Sequence, residues 1–336
     1  MRGARGRGLC VLCAAGVFAL AACGGGGGGD GGASGGGTGW TMLEVGHPIG
    51  SQDIIAIGSR LLVSTNLGVF SSDDEGVSWH SSDVGLTAGT GVGNMVQVGS
   101  KIFADADDGR YVSADQGSTW SPTAATGLPT TAGVLTSLVV GSDLYVGMNA
   151  GSHDPGISGA LFKSSDGGAT FAAASSGLPQ DQAVSSLATG GGNIYCAPLD
   201  SVGRSTDAGA TWQTSTLPSP GNVLQVATVG GTVLAGTAPG DVFSSADGTT
   251  WTAAESGLPK GAPIDLLYVD AGKVYASSPG INGVLFGVYV SSDSGAHWTA
   301  LNDGFGPAPP YAVAMVAHGG FLFAATELDG VWRRRL

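Results

Sequence analysis

From residue 39 onward the apolar positions fall in short runs set between tight, polar or glycine-containing turns. Ile54–Ile57 is one run and Leu61–Ser64 the next, with Gly58-Ser59 between them, a hairpin signal. Val69–Ser71 predicts a third strand and Val77–His80 a fourth. The same turn returns as Gly99-Ser100, Gly141-Ser142, Gly230-Gly231 and Gly319-Gly320. The second runs align in a column: Leu61-Leu62-Val63, Ile102-Phe103-Ala104, Leu144-Tyr145-Val146, Ile194-Tyr195-Cys196, Val233-Leu234-Ala235, Val274-Tyr275-Ala276 and Leu322-Phe323-Ala324. Cys196 stands where its counterparts are Val or Ala, so it reads as a small buried apolar residue. Gly85-Leu86, Gly127-Leu128-Pro129, Gly177-Leu178-Pro179 and Gly257-Leu258-Pro259 end successive units, where the chain should cross to the next one.

Each unit also carries the pattern Ser-x-Asp-x-Gly-x-x-aromatic. It begins at Ser72, Ser113, Ser164, Ser205 and Ser291, with a copy one residue shorter at Ser245. The aromatics fall at 79, 120, 171, 212, 251 and 298, giving steps of 41, 51, 41, 39 and 47 residues. That period is one four-stranded propeller blade. A seventh unit starts at Tyr311 and reaches Gly330-Val331-Trp332, the counterpart of Gly68-Val69-Phe70, one strand short of a blade. Gly39-Trp40-Thr41-Met42-Leu43 supplies the missing strand, with Trp40 lying 39 residues before Trp79. The predicted fold is all-β, a seven-bladed β-propeller of four-stranded antiparallel blades. Its last blade is closed by the N-terminal strand, which removes the open edges.

The repeated residues suit a tight reversal between third and fourth strands. An Asp accepts hydrogen bonds from its own turn, Ser does so more weakly, and Gly permits positive φ. Asp74, Asp115, Asp166, Asp207, Asp247 and Asp293 are therefore structural. A catalytic carboxylate is needed once, not at six corners. On these motifs residues 40–336 resemble the Asp-box, or BNR, repeat propellers of sialidases, sortilin-type receptors, two-domain xyloglucan hydrolases and the photosystem II assembly factor. The resemblance implies that the boxes rim the face away from the binding centre; it leaves function open.

Residues 1–22 read as a secretory signal peptide, with Arg2, Arg5 and Arg7 ahead of an apolar stretch too short to span a membrane comfortably. Its end, Leu20-Ala21-Ala22-Cys23, resembles a bacterial lipobox, which implies a diacylglycerol on the Cys23 thiol. Residues 23–38 form a glycine-rich tether, and 39–336 the propeller. Gly24, in place of an Asp after the lipidated Cys, favours the outer membrane. Loss of the three leader arginines takes the formal net charge from −13 to −16. Such an acidic chain is a poor partner for nucleic acid. Cys196 is left alone in the fold, so no internal disulfide forms.

The sialidases that this repeat resembles use three clustered arginines, a Tyr/Glu pair and an acidic Asp. Arg60, Arg110, Arg204 and Arg333–Arg335 do not assemble such a triad from their places in the repeat, and the Arg-Ile-Pro signature is missing. Asp105-Ala106-Asp107-Asp108-Gly109 looks like a fragment of a calcium loop, but the closing Glu is absent. His47, His80, His153, His297 and His318 show no ligand spacing. No catalytic residue, metal or cofactor is assigned. The repeat places the long insertions Met148–Ala160 and Ser277–Gly287 on the face opposite the boxes, where specificity is expected. Candidate ligand-binding residues there are His153, Asp154, Asn282, Asp105, Asp108, Asp200, Glu327 and Tyr311. The expectation is a monomeric, exported, lipid-anchored scaffold that binds a protein or glycan. A sialidase-like or other glycoside hydrolase is the alternative.

Overall fold

The computed structural model describes residues 39–45, 50–129, 132–149, 160–180, 182–219, 221–280 and 287–336. They form seven four-stranded antiparallel sheets. Blade 1 comprises Ser51–Ile57, Arg60–Thr65, Gly68–Ser72 and His80–Ser81, from the innermost strand outward. Blades 2 to 6 repeat it over 92–122, 134–173, 184–215, 223–253 and 266–300. Blade 7 takes Ala312–His318, Phe321–Thr326 and Gly330–Arg335 from the end of the chain and Thr41–Leu43 from its N-terminal side.

That closure is the one predicted, with register Thr41 to Arg333, Met42 to Trp332 and Leu43 to Val331. Trp40 secures it. Its indole N–H donates to the Leu301 carbonyl at 2.6 Å, and its ring stacks on Phe305 at 4.9 Å. Phe305 in turn meets the edge of Trp332 at 5.0 Å.

The predicted fourth strand of blade 1 is displaced. Val77–His80 was the expected segment, whereas the strand is His80–Ser81. The reason lies in the turn: Val77 N–H donates to the Asp74 backbone carbonyl at 3.3 Å and Ser78 N–H to Asp74 Oδ1 at 2.8 Å. With both amides engaged, the turn runs on to the aromatic.

Each box is a closed hydrogen-bond ring. Ser72 Oγ donates to Asp74 Oδ1 and accepts from Gly76 N–H, both at 2.8 Å, while Ser78 Oγ donates to Asp74 Oδ2 at 2.6 Å. Asp115, Asp166 and Asp207 repeat this with Thr119, Thr170 and Thr211; blade 6 substitutes His297. These bonds hold the carboxyls of Asp74, Asp115, Asp207 and Asp293 down to about 2. Gly76 is obligatory twice over: its φ is +82°, and a Cβ would meet Leu43 Cδ1 at 2.6 Å.

The aromatic that follows each box packs into the seam with the preceding blade, against a residue in the first two positions of that blade's third strand. Trp120 meets Val69, Trp251 meets Val202 and Trp298 meets Val242 in shared cores. Trp120, Trp212 and Trp298 also donate their indole N–H to a carbonyl across the seam, at 2.7–2.8 Å. Apolar burial and one directed bond thus hold neighbouring blades together.

Candidate functional site

The turns between second and third strands open on the face opposite the boxes. Among the described residues these turns carry Asp107, Asp108, Asp200, Asp241, Glu327 and Asp329, and neither Lys nor Arg. The other end is different. Of the ten Lys and Arg residues beyond residue 39, eight lie at the box end of their strands: Arg60, Lys101, Lys163, Arg204, Lys273 and Arg333–Arg335. Lys260 and the buried Arg110 are the two remaining. The cations are therefore gathered at the box end, where they stand among the box carboxylates, whereas the described insertion-bearing turns carry carboxylates alone.

The structure brings two candidates together and adds a third group. Tyr311 OH donates to Glu327 Oε2. Beside them, at the head of the innermost strand of blade 6, stands Asp265. Its backbone carbonyl accepts from Gln225 Nε2 of blade 5 at 2.8 Å. Burial, and then the nearby Glu327 charge, push the Asp265 carboxyl up to about 6. The heads of the innermost strands share no motif, so nothing in the repeat marks Asp265.

Asp108 is exposed on its turn and accepts from Thr90 Oγ1 at 3.1 Å and Tyr111 OH at 2.9 Å. Burial pushes its carboxyl up, but hydrogen bonds from Thr87, Tyr111 and Thr90 outweigh it and leave it below the usual range. Asp200 accepts from Gln182 Nε2 at 3.4 Å. His153, Asp154 and Asn282 lie outside the described residues, as does Cys23.

Asp105 is a correction. It belongs to the strand Lys101–Ala106 rather than to an open acidic turn, and its side chain is 12% exposed. Its Oδ1 lies 3.3 Å from Arg110 Nε, and Asn94 Nδ2 donates to its Oδ2 at 3.3 Å. It faces the seam between blades 2 and 3.

That seam is unlike the rest. Arg110 occupies the place filled by Val69, Leu161, Val202, Val242, Val288 and Val331, all fully buried. Asp105 occupies the place of Ser64, Gly147, Ala197, Gly236, Ser277 and Ala325. The next box aromatic is Phe171 rather than Trp. Its ring lies 5.2 Å from the guanidinium carbon, which sits 4.9 Å from Phe103 on the other side. The smaller ring, with no N–H to place, accommodates the cation.

The arginines do not converge. Arg60 grips Asp73 through two 2.8 Å bonds at the box end. Arg110 is interior, Arg204 precedes a box, and Arg333–Arg335 end blade 7. A three-arginine carboxylate site of the sialidase kind is not assembled from them. Among the described residues no group of three or more His, Cys, Asp and Glu side chains is arranged to hold a metal ion. A shallow cavity of about 500 Å³ opens between blades 3 and 4 at the box end, lined by Phe171, Ala172–Ala174 and Asp207. Its one cation, Lys163, is already held by Asp143 at 2.7 Å, so the cavity offers little chemistry.

These features define an all-β, seven-bladed propeller whose faces differ in charge. Residues 126–276 match the profile of the DUF6242 beta propeller domain. No curated protein matches the chain. Among solved structures it is similar to YCF48 from Cyanidioschyzon merolae, at 13% identity and TM-score 0.67, covering 88% of this chain and 99% of that one. The extracellular domain of the putative hybrid two component system BT4673 from B. thetaiotaomicron matches at 17% identity and TM-score 0.71, over 89% of this chain and 40% of that one. A catalytically inactive virginiamycin B lyase from Staphylococcus aureus, with quinupristin, matches at 11% identity and TM-score 0.70, over 88% and 99%. At these identities the likeness is one of fold.

Proposed function

We propose that the protein is a non-catalytic scaffold, held at the cell envelope through a lipid on Cys23, that takes up a basic segment of a partner protein on its insertion-bearing face. The observation that carries this reading is the segregation of charge: six carboxylates on the described turns, unmatched by any Lys or Arg. A face of one sign steers and selects an oppositely charged partner. The solved structure of YCF48 bound to D1 peptide, at 14% identity and TM-score 0.68, supports a peptide as the ligand class over a glycan. Gly24 behind the lipidated Cys supports the outer membrane as the site of anchoring.

Photocrosslinkers at Asp108→Cys and at Ser118→Cys, on opposite ends of blade 2, test the reading in solubilised envelopes. Lysine- or arginine-rich peptides joined to the first position and not to the second are the expected product. Equal labelling from both ends, or acidic peptides, would overturn it. Lipidation is tested separately by the mass of the Cys23 peptide. The hydrolase alternative has one feature in its favour, the Tyr311–Glu327 pair beside Asp265, and lacks the converging arginines. Release of a reporter from aryl sialosides or glucosides, lost in Glu327→Gln, would replace the scaffold reading with it.

A further inference from the structure

The ring has seven corners between third and fourth strands, and one of them carries a run of arginines in place of a box. In blade 1 the third strand runs Val69-Phe70-Ser71-Ser72 into the carboxylates Asp73 and Asp74. In blade 7 the equivalent residues are Val331-Trp332-Arg333-Arg334, followed by Arg335 and Leu336. Arg333 stands at the place of Ser71, Arg334 at that of the box Ser72 and Arg335 at that of Asp73, so this corner carries three arginines and no box Asp. This is also the corner at which the chain enters the ring, because Thr41 is the register partner of Arg333. The residues before it, Cys23–Thr38, were read above as the tether.

The three arginines are not equivalent. Arg334 is spent within the fold: it is 12% exposed, donates to Asp303 at 2.9 Å and lies 5.8 Å from the Trp40 ring. Arg333 and Arg335 point to the other side of the strand. Both guanidinium groups flank one ring, Phe321, at 4.8 and 5.2 Å. Arg333 Nη1 also donates to the Glu75 carbonyl, at 2.6 Å. Two cations over an aromatic, beside the root of a tether, suit the headgroup level of a membrane, where Arg meets phosphate and aromatic rings settle.

We propose that the blade 7 corner is the membrane-facing point of the ring, with Arg333 and Arg335 holding anionic phospholipid headgroups and the acidic insertion-bearing face turned away from the bilayer. The proposal rests on the envelope-anchored reading. It accounts for three of the six arginines beyond residue 39 standing side by side at this one corner. Each remaining corner sets its box carboxylate beside at most one Lys or Arg of its own blade, so the same surface attracts it less. A basic side chain at an anionic surface shifts the balance by about fivefold, so two of them favour this orientation by roughly 25-fold once the tether holds the ring near the lipid.

The test replaces the acyl group by a hexahistidine tag ahead of Gly24 and holds the chain on vesicles doped with nickel-chelating lipid. Dyes are placed at Ser59→Cys, exposed at the box end of blade 1, or at Leu328→Cys, 76% exposed on the insertion-bearing face. Cys196 is fully buried and takes no label. Energy transfer to a lipid acceptor should be stronger from position 59 in phosphatidylglycerol vesicles. The bias should vanish in Arg333→Gln/Arg335→Gln and return in Arg333→Lys/Arg335→Lys, which separates charge from folding. It should be absent in phosphatidylcholine vesicles and should survive millimolar inorganic phosphate, which marks headgroups and not free phosphate as the source. Equal transfer from both positions in phosphatidylglycerol, or a bias unchanged in the glutamine variant, would overturn the proposal. Because the tag stands in for the lipid, a failure here indicts the corner, whereas an unmodified Cys23 in cells indicts the anchor.

Discussion

The seam between blades 2 and 3 makes a prediction whose sign depends on context. Phe171→Trp would restore the aromatic found at the other boxes. With Arg110 in place, the larger ring has no room against the guanidinium 5.2 Å away, and overpacking of this kind costs about 1–3 kcal/mol. Arg110→Val alone removes the cation from Asp105, a carboxylate 12% exposed, and leaves a void beside Phe171. Breaking a buried pair costs up to about 3–5 kcal/mol, and the solvent reaching Asp105 places this case at about 2–3. Replacing the pair together, Asp105→Ala/Arg110→Val, gives the seam the residue types of its six counterparts. That exchange is expected to be neutral or stabilising by about 1–2 kcal/mol. Arg110 has buried N–H groups without a hydrogen-bond acceptor among the described residues, and an apolar pair has none. In that background Phe171→Trp should gain about 1 kcal/mol by filling the void and donating to the Thr123 carbonyl region. Urea titrations of the wild type, the three variants and their combinations close the cycle. The reasoning fails if Phe171→Trp has the same effect in both backgrounds to within about 0.5 kcal/mol.

Acid should loosen the corners in a defined window. The box carboxyls are held below their unfolded value near 4, so their stabilisation is complete above about pH 4 and is lost as pH falls toward 2; Tm should rise from pH 7 to about 4.5, because Asp265 takes up its proton more readily folded than unfolded, and then drop, less steeply in Asp207→Asn. Asp265 is held up, at about 6, so it should lose its charge between pH 7 and 5 and weaken the uptake of a basic peptide over that range, an effect absent in Asp265→Asn and read by fluorescence titration. The Cys196 thiol is fully buried and pushed up by that burial, so thiol reagents should label it only after unfolding, and Cys196→Ala should cost about 1 kcal/mol. Removing residues 1–43 strips Trp40 and Leu43 from their cores and bares the edge of blade 7; Tm should fall by more than about 5 °C, with aggregation.

Periodicity carried most of the architecture. A residue type that recurs every forty or so positions reports a corner of the fold, and the six boxes with the split seventh unit were enough to place the chain ends in one blade. Where the structure departs from that reading, a residue breaks its own column. Arg110, one position past the calcium-loop-like fragment 105–109, is one arginine among several in the sequence; aligned beneath Val69 and Val202 it is a cation in the core. Asp105, grouped with that fragment, is likewise a strand residue. Asp265 was hidden because the innermost strands share no motif and blade 6 enters its first strand late, at Leu266. The end of Val77–His80 was misjudged because side-chain acceptors, invisible to a hydropathy pattern, claimed its amides.

The measurement that bears most directly on the account is a binding titration with one labelled lysine-rich peptide and two neutralised proteins. In the first, Asp107, Asp108, Glu327 and Asp329 become Asn or Gln; in the second, four carboxylates of the box end, Asp73, Glu75, Asp143 and Asp270, are changed in the same way. Four exposed charges at about 0.2–1 kcal/mol each predict a loss of affinity of about fourfold or more for the first protein, shrinking with added salt, and little change for the second. Equal losses in both, or binding that ignores the insertion-bearing face, would contradict it.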